Sequence, residues 1–215
     1  AFDGSVYEIF SSLLYGASLH MIANQDAADP NRLAKVLREQ DISILFITTA
    51  LFNAFVDVEL AALKGLRKIL FGGELVSPLH VQRALAELGP DSIIHVYGPT
   101  ETTVYATYYP VREAKDLNVP IGRPLSNTKI YLVTESGHLA GIGVQGEIWI
   151  GGDGVAQRYL NRPEVPAEKF IDNPFTHTKD ARIYKTGDLA KMLPDGNIEF
   201  IGRKDSQIKM RGYRI

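Results

Sequence analysis

Tyr97-Gly98-Pro99-Thr100-Glu101-Thr102-Thr103 follows an apolar, strand-like run at 92–97 and sets three threonine hydroxyls and a carboxylate beside a glycine. Ligands of open α/β sheets bind beyond the carboxyl ends of strands. A glycine there lets a ligand approach the backbone closely. Threonine hydroxyls can hydrogen-bond phosphate, and Glu101 can hold Mg2+ through oxygen. The same residues would also serve as an ordinary strand end and helix start.

Two further stretches carry comparable chemistry. In Tyr184-Lys185-Thr186-Gly187-Asp188-Leu189 an aspartate beside a glycine turn could accept both hydroxyls of a ribose. A hairpin turn with a solvated aspartate is the competing reading. Gly202-Arg203-Lys204-Asp205 opens a basic run reaching Tyr213, in which Arg203 could sit near a nucleotide or simply on a solvated strand. The glycine-rich Gly146 to Gly154 run lacks the Gly-Lys-Ser/Thr ending of a phosphate loop and reads as tight strand-and-turn packing. His20, His80, His95, His138 and His177 have no metal-ligand spacing, although His95 could line a site or pack neutral in a core. There is no Gly-x-Ser-x-Gly elbow.

Positioning these groups requires a scaffold, and the first half predicts alternating helices and strands. Helical spacing covers 6–14, 31–40, 49–55 and 78–88, with Asp29 as a cap and Pro30 at the first helical position. Short apolar runs at 17–23, 42–47, 66–71 and 92–97 predict strands. This alternation implies a largely parallel sheet with helices on both faces. The second half changes to short strands at 129–133, 146–150, 188–192 and 197–201, punctuated by glycine and proline, as in a small antiparallel sheet or barrel. A polar, charged stretch at 111–118 marks the boundary. The organisation expected is 1–112, 113–201 and a final 202–215 segment.

The composition is that of a folded globular chain, with 45% apolar and 22% charged residues. Lys plus Arg is 23 against 25 for Asp plus Glu, so no global field favours nucleic acid or an anionic membrane. The chain contains no cysteine, which excludes disulfides, thiolate metal sites and thiol catalysis. No run approaches the ~18 apolar residues needed to span a bilayer. A cytoplasmic location without nucleic-acid or membrane partners is the expectation. The abrupt start at Ala1-Phe2-Asp3 and the stop at Arg214-Ile215 read as cuts through a longer polypeptide.

Together these motifs, with Phe2-Asp3-Gly4-Ser5-Val6-Tyr7-Glu8-Ile9-Phe10 and Tyr159-Leu160, resemble the adenylation domain of nonribosomal peptide synthetases, in the superfamily of acyl-CoA ligases and luciferases. The resemblance covers essentially the whole chain. It implies a flavodoxin-like α/β subdomain followed by a distorted antiparallel β-barrel. It also implies activation of a carboxylate with ATP and Mg2+, then transfer of the acyl group to a phosphopantetheine thiol on a carrier-protein domain. Carrier and condensation domains of the same synthetase would be partners. By resemblance, Tyr97 stacks on adenine, Glu101 binds Mg2+, Thr100 and Thr102 lie near phosphate, and Gly73 and Gly98 belong to the nucleotide-binding loops. Asp188 holds the ribose hydroxyls, Arg203 reaches the ribose side, and Asp205 is the hinge residue. The family's phosphate loop and catalytic lysine would lie outside this stretch. The isolated chain is therefore expected to show little adenylation activity, and to expose apolar surface and self-associate.

Matching motif by motif, the resemblance puts the amino-acid pocket at Asp3, Gly4, Tyr7, Phe46, Leu70, Gly72, Val96, Val104 and Tyr105. Asp3 would pair with the substrate α-ammonium, because a buried carboxylate needs a cationic partner. The remaining lining is apolar or aromatic, which suits an aliphatic side chain, Ile before Val or Leu. Phe46 and Leu70 would equally serve as plain core. An acyl-CoA or aryl-CoA ligase, and a non-catalytic substrate-binding module, are the competing readings.

Overall fold

The computed structural model describes residues 3–113, 118–161, 169–178 and 181–205, with the backbone of 209, 210, 213 and 214. The chain divides into two compact units. The first is drawn from Ala1–Val96 and Pro110–Val119, the second from Tyr97–Tyr109 and Pro120–Gln207.

The first unit opens with α1 (Gly4–Leu14), the short α2 (Asn24–Ala27) and α3 (Pro30–Glu39). Asp29 caps α3, its side chain accepting from the amides of Asn31 and Arg32, with Pro30 in the first turn. Three parallel strands follow with their crossover helices: β1 (Ile44–Thr48), α4 (Thr49–Val58), β2 (Lys68–Gly72), α5 (Pro78–Leu88) and β3 (Ile93–Tyr97). Strand alternation sorts the side chains. Phe71 pairs in register with Ile47 and His95. On that face Phe52 of α4 stacks on Phe71 at 4.4 Å between ring centroids, and His95 stacks on Phe71 at 5.1 Å. His95 is therefore a packed core histidine. Leu33, Leu37, Phe55, Leu63 and Val81 are buried with it.

One sequence expectation changes here. Residues 17–23 form no strand and are mostly exposed, because an apolar run becomes a strand only where a neighbour pairs with its backbone. The run at 42–47 does become β1, but at a sheet edge, with Ile44 about half exposed. The apolar residues at the end of α1 stay open as well: Phe10, Leu13 and Leu14, with the following Tyr15, are all exposed.

The second unit holds β4 (Thr107–Pro110), β5 (Arg123–Pro124), β6 (Thr128–Val133), β7 (Gln145–Gly152), β8 (Phe170–Asp172), β9 (Arg182–Met192) and β10 (Ile198–Arg203). β10, β9, β7 and β6 lie side by side in an antiparallel sheet, with β8 also paired to β9. Leu132, Ile148, Ile150, Ala190 and Ile198 make its core, and β7 alternates these inward residues with Glu147 and Trp149. A Cβ on Gly146 would lie 2.8 Å from the Val133 amide nitrogen, which explains the glycine. The α/β class followed by a curled antiparallel sheet agrees with the sequence.

The strand expected at 188–192 is longer, and this corrects the reading of its motif. Tyr184 to Leu189 is not a hairpin turn but the middle of β9. Glu147 of β7 pairs with Leu189 and Trp149 with Lys185, so two steps on β7 face four on β9. The excess is a bulge at 186–188, where Gly187 adopts φ +77°.

Candidate functional site

Glu101 sits just beyond the end of β3, in the 3-10 turn Thr100–Thr102. The loop folds back so tightly that a Cβ on Gly98 would stand 2.5 Å from the Val104 carbonyl oxygen. Thr103 and Val104 follow at φ 63° and 64°. Left-handed backbone at two consecutive β-branched residues is strained, and such strain persists where surrounding bonds over-determine it. Here the Thr103 hydroxyl donates to the Gly154 carbonyl at 2.8 Å and the Ala106 amide to the Tyr97 carbonyl at 2.7 Å. The Glu101 carboxylate is buried, and Oε1 accepts the Tyr159 hydroxyl at 2.7 Å. Thr100 is exposed at the loop surface, whereas buried Thr102 gives its hydroxyl proton to the Pro99 carbonyl at 3.0 Å. Thr102 thus stiffens the loop.

The β9 bulge carries Asp188 inward, where it is buried. Its Oδ2 accepts the Tyr97 hydroxyl and its Oδ1 accepts Nη1 of Arg203, each at 2.6 Å. Arg203, at the end of β10, also grips both oxygens of Asp205 at 2.7 Å, and these carboxylates raise its pKa above the ordinary arginine value. One guanidinium therefore joins two carboxylates, Asp188 inside and Asp205 at the surface. A carboxylate offers roughly four acceptor positions. Tyr97 and Arg203 take two of those on Asp188, so the group is oriented and still has capacity for a pair of hydroxyls.

Burial, and next to it the Asp188 carboxylate, raise the Tyr97 phenol well above its ordinary value. The pH dependence follows. Below the unfolded pKa of about 10 both states hold the proton and the stabilisation is complete. Above it the unfolded chain releases the proton first, so stability falls as pH rises toward the folded pKa. Urea midpoints followed between about pH 9 and pH 11 should fall more steeply for the native protein than for Tyr97→Phe. Parallel curves would show that the phenol is not held protonated.

Seven of the nine pocket positions belong to the first unit. Asp3 stands at the N-cap of α1, yet its side chain makes no cap bond. Gly4 is buried and Tyr7 half-buried on the same helix. Phe46 pairs with Leu70, Leu70 with Ile94 and Gly72 with Val96, so Phe46, Leu70, Gly72 and Val96 share the sheet face opposite Phe71. Gly72 lets the strands close, since a Cβ there would lie 2.1 Å from the Val96 carbonyl oxygen. Gly73 is exposed at φ +97°. Val104 and Tyr105 belong to the second unit, just after the Glu101 turn. Beyond Asp205, residues 206–208, 211, 212 and 215 of the basic run lie outside the described residues.

Sequence reasoning gave no role to Tyr159 or Ala156. Both contact Glu101 across more than fifty residues of chain, and no local pattern encodes such a contact. Among the described residues no three His, Cys, Asp or Glu side chains gather as a metal site. Mg2+ is commonly held by one or two carboxylates together with substrate phosphates. The buried Glu101 carboxylate fits an ion that arrives with a nucleotide. No helix among the described residues is long and apolar enough to cross a membrane.

A family model described as "AMP-binding enzyme" matches residues 1–160. Across its whole length the chain is 55% identical to part of bacitracin synthase 1 of Bacillus licheniformis and 50% identical to part of surfactin synthase subunit 1 of Bacillus subtilis. It spans only 4% and 6% of those proteins. A solved NRPS protein containing adenylation and PCP domains, bound to a vinylsulfonamide inhibitor, superposes on all of this chain with a TM-score of 0.88 at 33% identity, over 37% of its own length. The Klebsiella oxytoca NpsA N-terminal subdomain, in complex with 3-hydroxyanthranilyl-AMSN, matches 94% of this chain and 52% of its own at TM-score 0.82 and 29% identity.

Proposed function

The chain belongs to the AMP-binding enzyme family, and from that premise we propose that it forms the central part of a domain that adenylates an α-amino acid. A substrate carboxylate oxygen attacks the α-phosphorus of ATP, the bond from that phosphorus to the oxygen bridging to the β-phosphate breaks, and pyrophosphate leaves. A phosphopantetheine thiol then attacks the aminoacyl carbonyl, a thioester forms and AMP departs. The observation that carries this reading is Asp188, buried and oriented by Tyr97 and Arg203 with acceptor capacity left for a ribose diol.

In this reading Tyr97 offers its ring face to adenine while its hydroxyl fixes Asp188. Thr100 supplies an exposed hydroxyl toward phosphate. Glu101 would hold Mg2+ together with phosphate oxygens, offsetting the repulsion between two anions brought together. Asp3 pairs with the α-ammonium, a role supported by its freedom from capping α1. Phe46, Leu70 and Val96 share one sheet face of the first unit and, like Tyr7, Val104 and Tyr105, carry no charge. That favours Ile, then Val or Leu. Transfer to a carrier domain, and a condensation domain as neighbour, follow from the same reading and are supported by the multidomain character of the similar synthases.

The test is amino-acid-dependent exchange of labelled pyrophosphate into ATP by the full-length protein, run across the proteinogenic amino acids. Ile should lead. Val and Leu should follow within about 10–200-fold, because one methylene is worth only about 1–3 kcal/mol of discrimination. A charged or aromatic leader would keep the reaction and discard the pocket.

A further inference from the structure

The segment after β7 is not used by the chemistry above, yet three bonds and one close approach tie it to the loop that carries Glu101. The Ala156 amide donates to the Glu101 carbonyl at 2.8 Å, the Thr103 hydroxyl to the Gly154 carbonyl at 2.8 Å, and the Tyr159 hydroxyl to Glu101 Oε1 at 2.7 Å. A Cβ on Gly154 would come 2.8 Å from the Thr102 carbonyl oxygen, so the two loops touch backbone to backbone. Tyr159 is itself seated, with its ring edge-on to Phe170 at 5.3 Å and its hydroxyl 3.5 Å from that of Tyr184.

We infer that Tyr159 is a positioning residue for Mg·ATP: its phenol fixes the rotation of the Glu101 carboxylate, and the Gly154–Ala156 backbone fixes the height of the turn that carries it. This rests on the adenylation reading. A carboxylate that must meet an ion brought in by phosphates gains from having its orientation set beforehand. Groups that orient a metal ligand from behind typically contribute 10–100-fold in metal affinity or activity. The phenol donates its proton to Glu101 and leaves the negative charge on the carboxylate, so it orients without neutralising. The sequence separation explains why the motifs gave Tyr159 no role beside Glu101.

The test is Tyr159→Phe in the full-length protein, which keeps the ring against Phe170 and removes only the hydroxyl. Two readouts are needed. The Mg2+ concentration for half-maximal pyrophosphate exchange should rise about 10-fold or more while the KM for the amino acid stays put. Binding of preformed Mn·ATP, read from the enhancement of water proton relaxation over that of Mn·ATP without protein, should weaken by a similar factor without any turnover. A lower kcat or melting temperature with unchanged metal dependence would make Tyr159 merely structural and overturn the inference. Native protein that shows neither exchange nor Mn·ATP binding would remove the adenylation reading and this inference together. Native protein that shows both, with Tyr159→Phe equal to it, would remove only the inference.

Discussion

Asp188→Ala should lose nucleotide binding and lower the stability of the second unit by about 3 kcal/mol, toward the lower end of the cost of breaking a buried ion pair. The side chains of Asp188 and Arg203 are only 6% and 14% exposed, so the pair is largely removed from water. Truncation leaves the guanidinium without its inner partner. Arg203 keeps its two bonds to Asp205, and that limits the damage. The Tyr97 hydroxyl also loses its Asp188 acceptor, a group whose abandonment costs roughly 1–3 kcal/mol when buried. For a chain of this size, about 3 kcal/mol corresponds to a fall of roughly 6–12 °C in melting temperature. Calorimetry of ATP binding and thermal melts read the two effects separately. Wild-type melting with lost ATP binding would mean that the ion pair adds nothing to stability. Wild-type ATP binding would remove Asp188 from the site.

Glu101→Gln should behave in the opposite way, with a large loss of activity and little loss of fold. The glutamine side-chain oxygen can still accept the Tyr159 hydroxyl, and the Ala156 bond runs to the backbone carbonyl, which the substitution does not touch. Stability should therefore change by less than about 1 kcal/mol. The negative charge is what disappears. Preorganised charge in a water-poor site is commonly worth on the order of 100-fold or more in rate. Pyrophosphate exchange should fall by at least that factor at fixed Mg2+, with thermal melts superimposable on those of the native protein. Exchange within a few-fold of native would mean that the buried carboxylate only braces the loop.

The parts of this molecule legible from sequence are those whose cause is local. The Asp29-Pro30 start of α3, the crossover pattern from β1 to β3 and the glycine-bounded strands of the second half all follow from neighbouring residues. The parts that were not legible depend on what lies across the fold. Residues 17–23 look like a strand but have no strand neighbour among the described residues to make them one. Gly187-Asp188 looks like a turn, and only the register against β7 reveals a bulge that carries the aspartate into the interior. Tyr159 belongs to a motif of the resemblance, but its role shows only once the loop after β7 is seen lying on Glu101.

The most direct test of the central claim is pyrophosphate exchange by the full-length protein with each amino acid and, in parallel, with simple carboxylic acids. The account predicts exchange that requires an α-amino acid, led by Ile, and that collapses in Glu101→Gln. Exchange driven by carboxylic acids that lack the amino group, with none from any amino acid, would contradict it. That result would move the chain to an acyl-CoA type of ligase and remove the ammonium-binding role of Asp3.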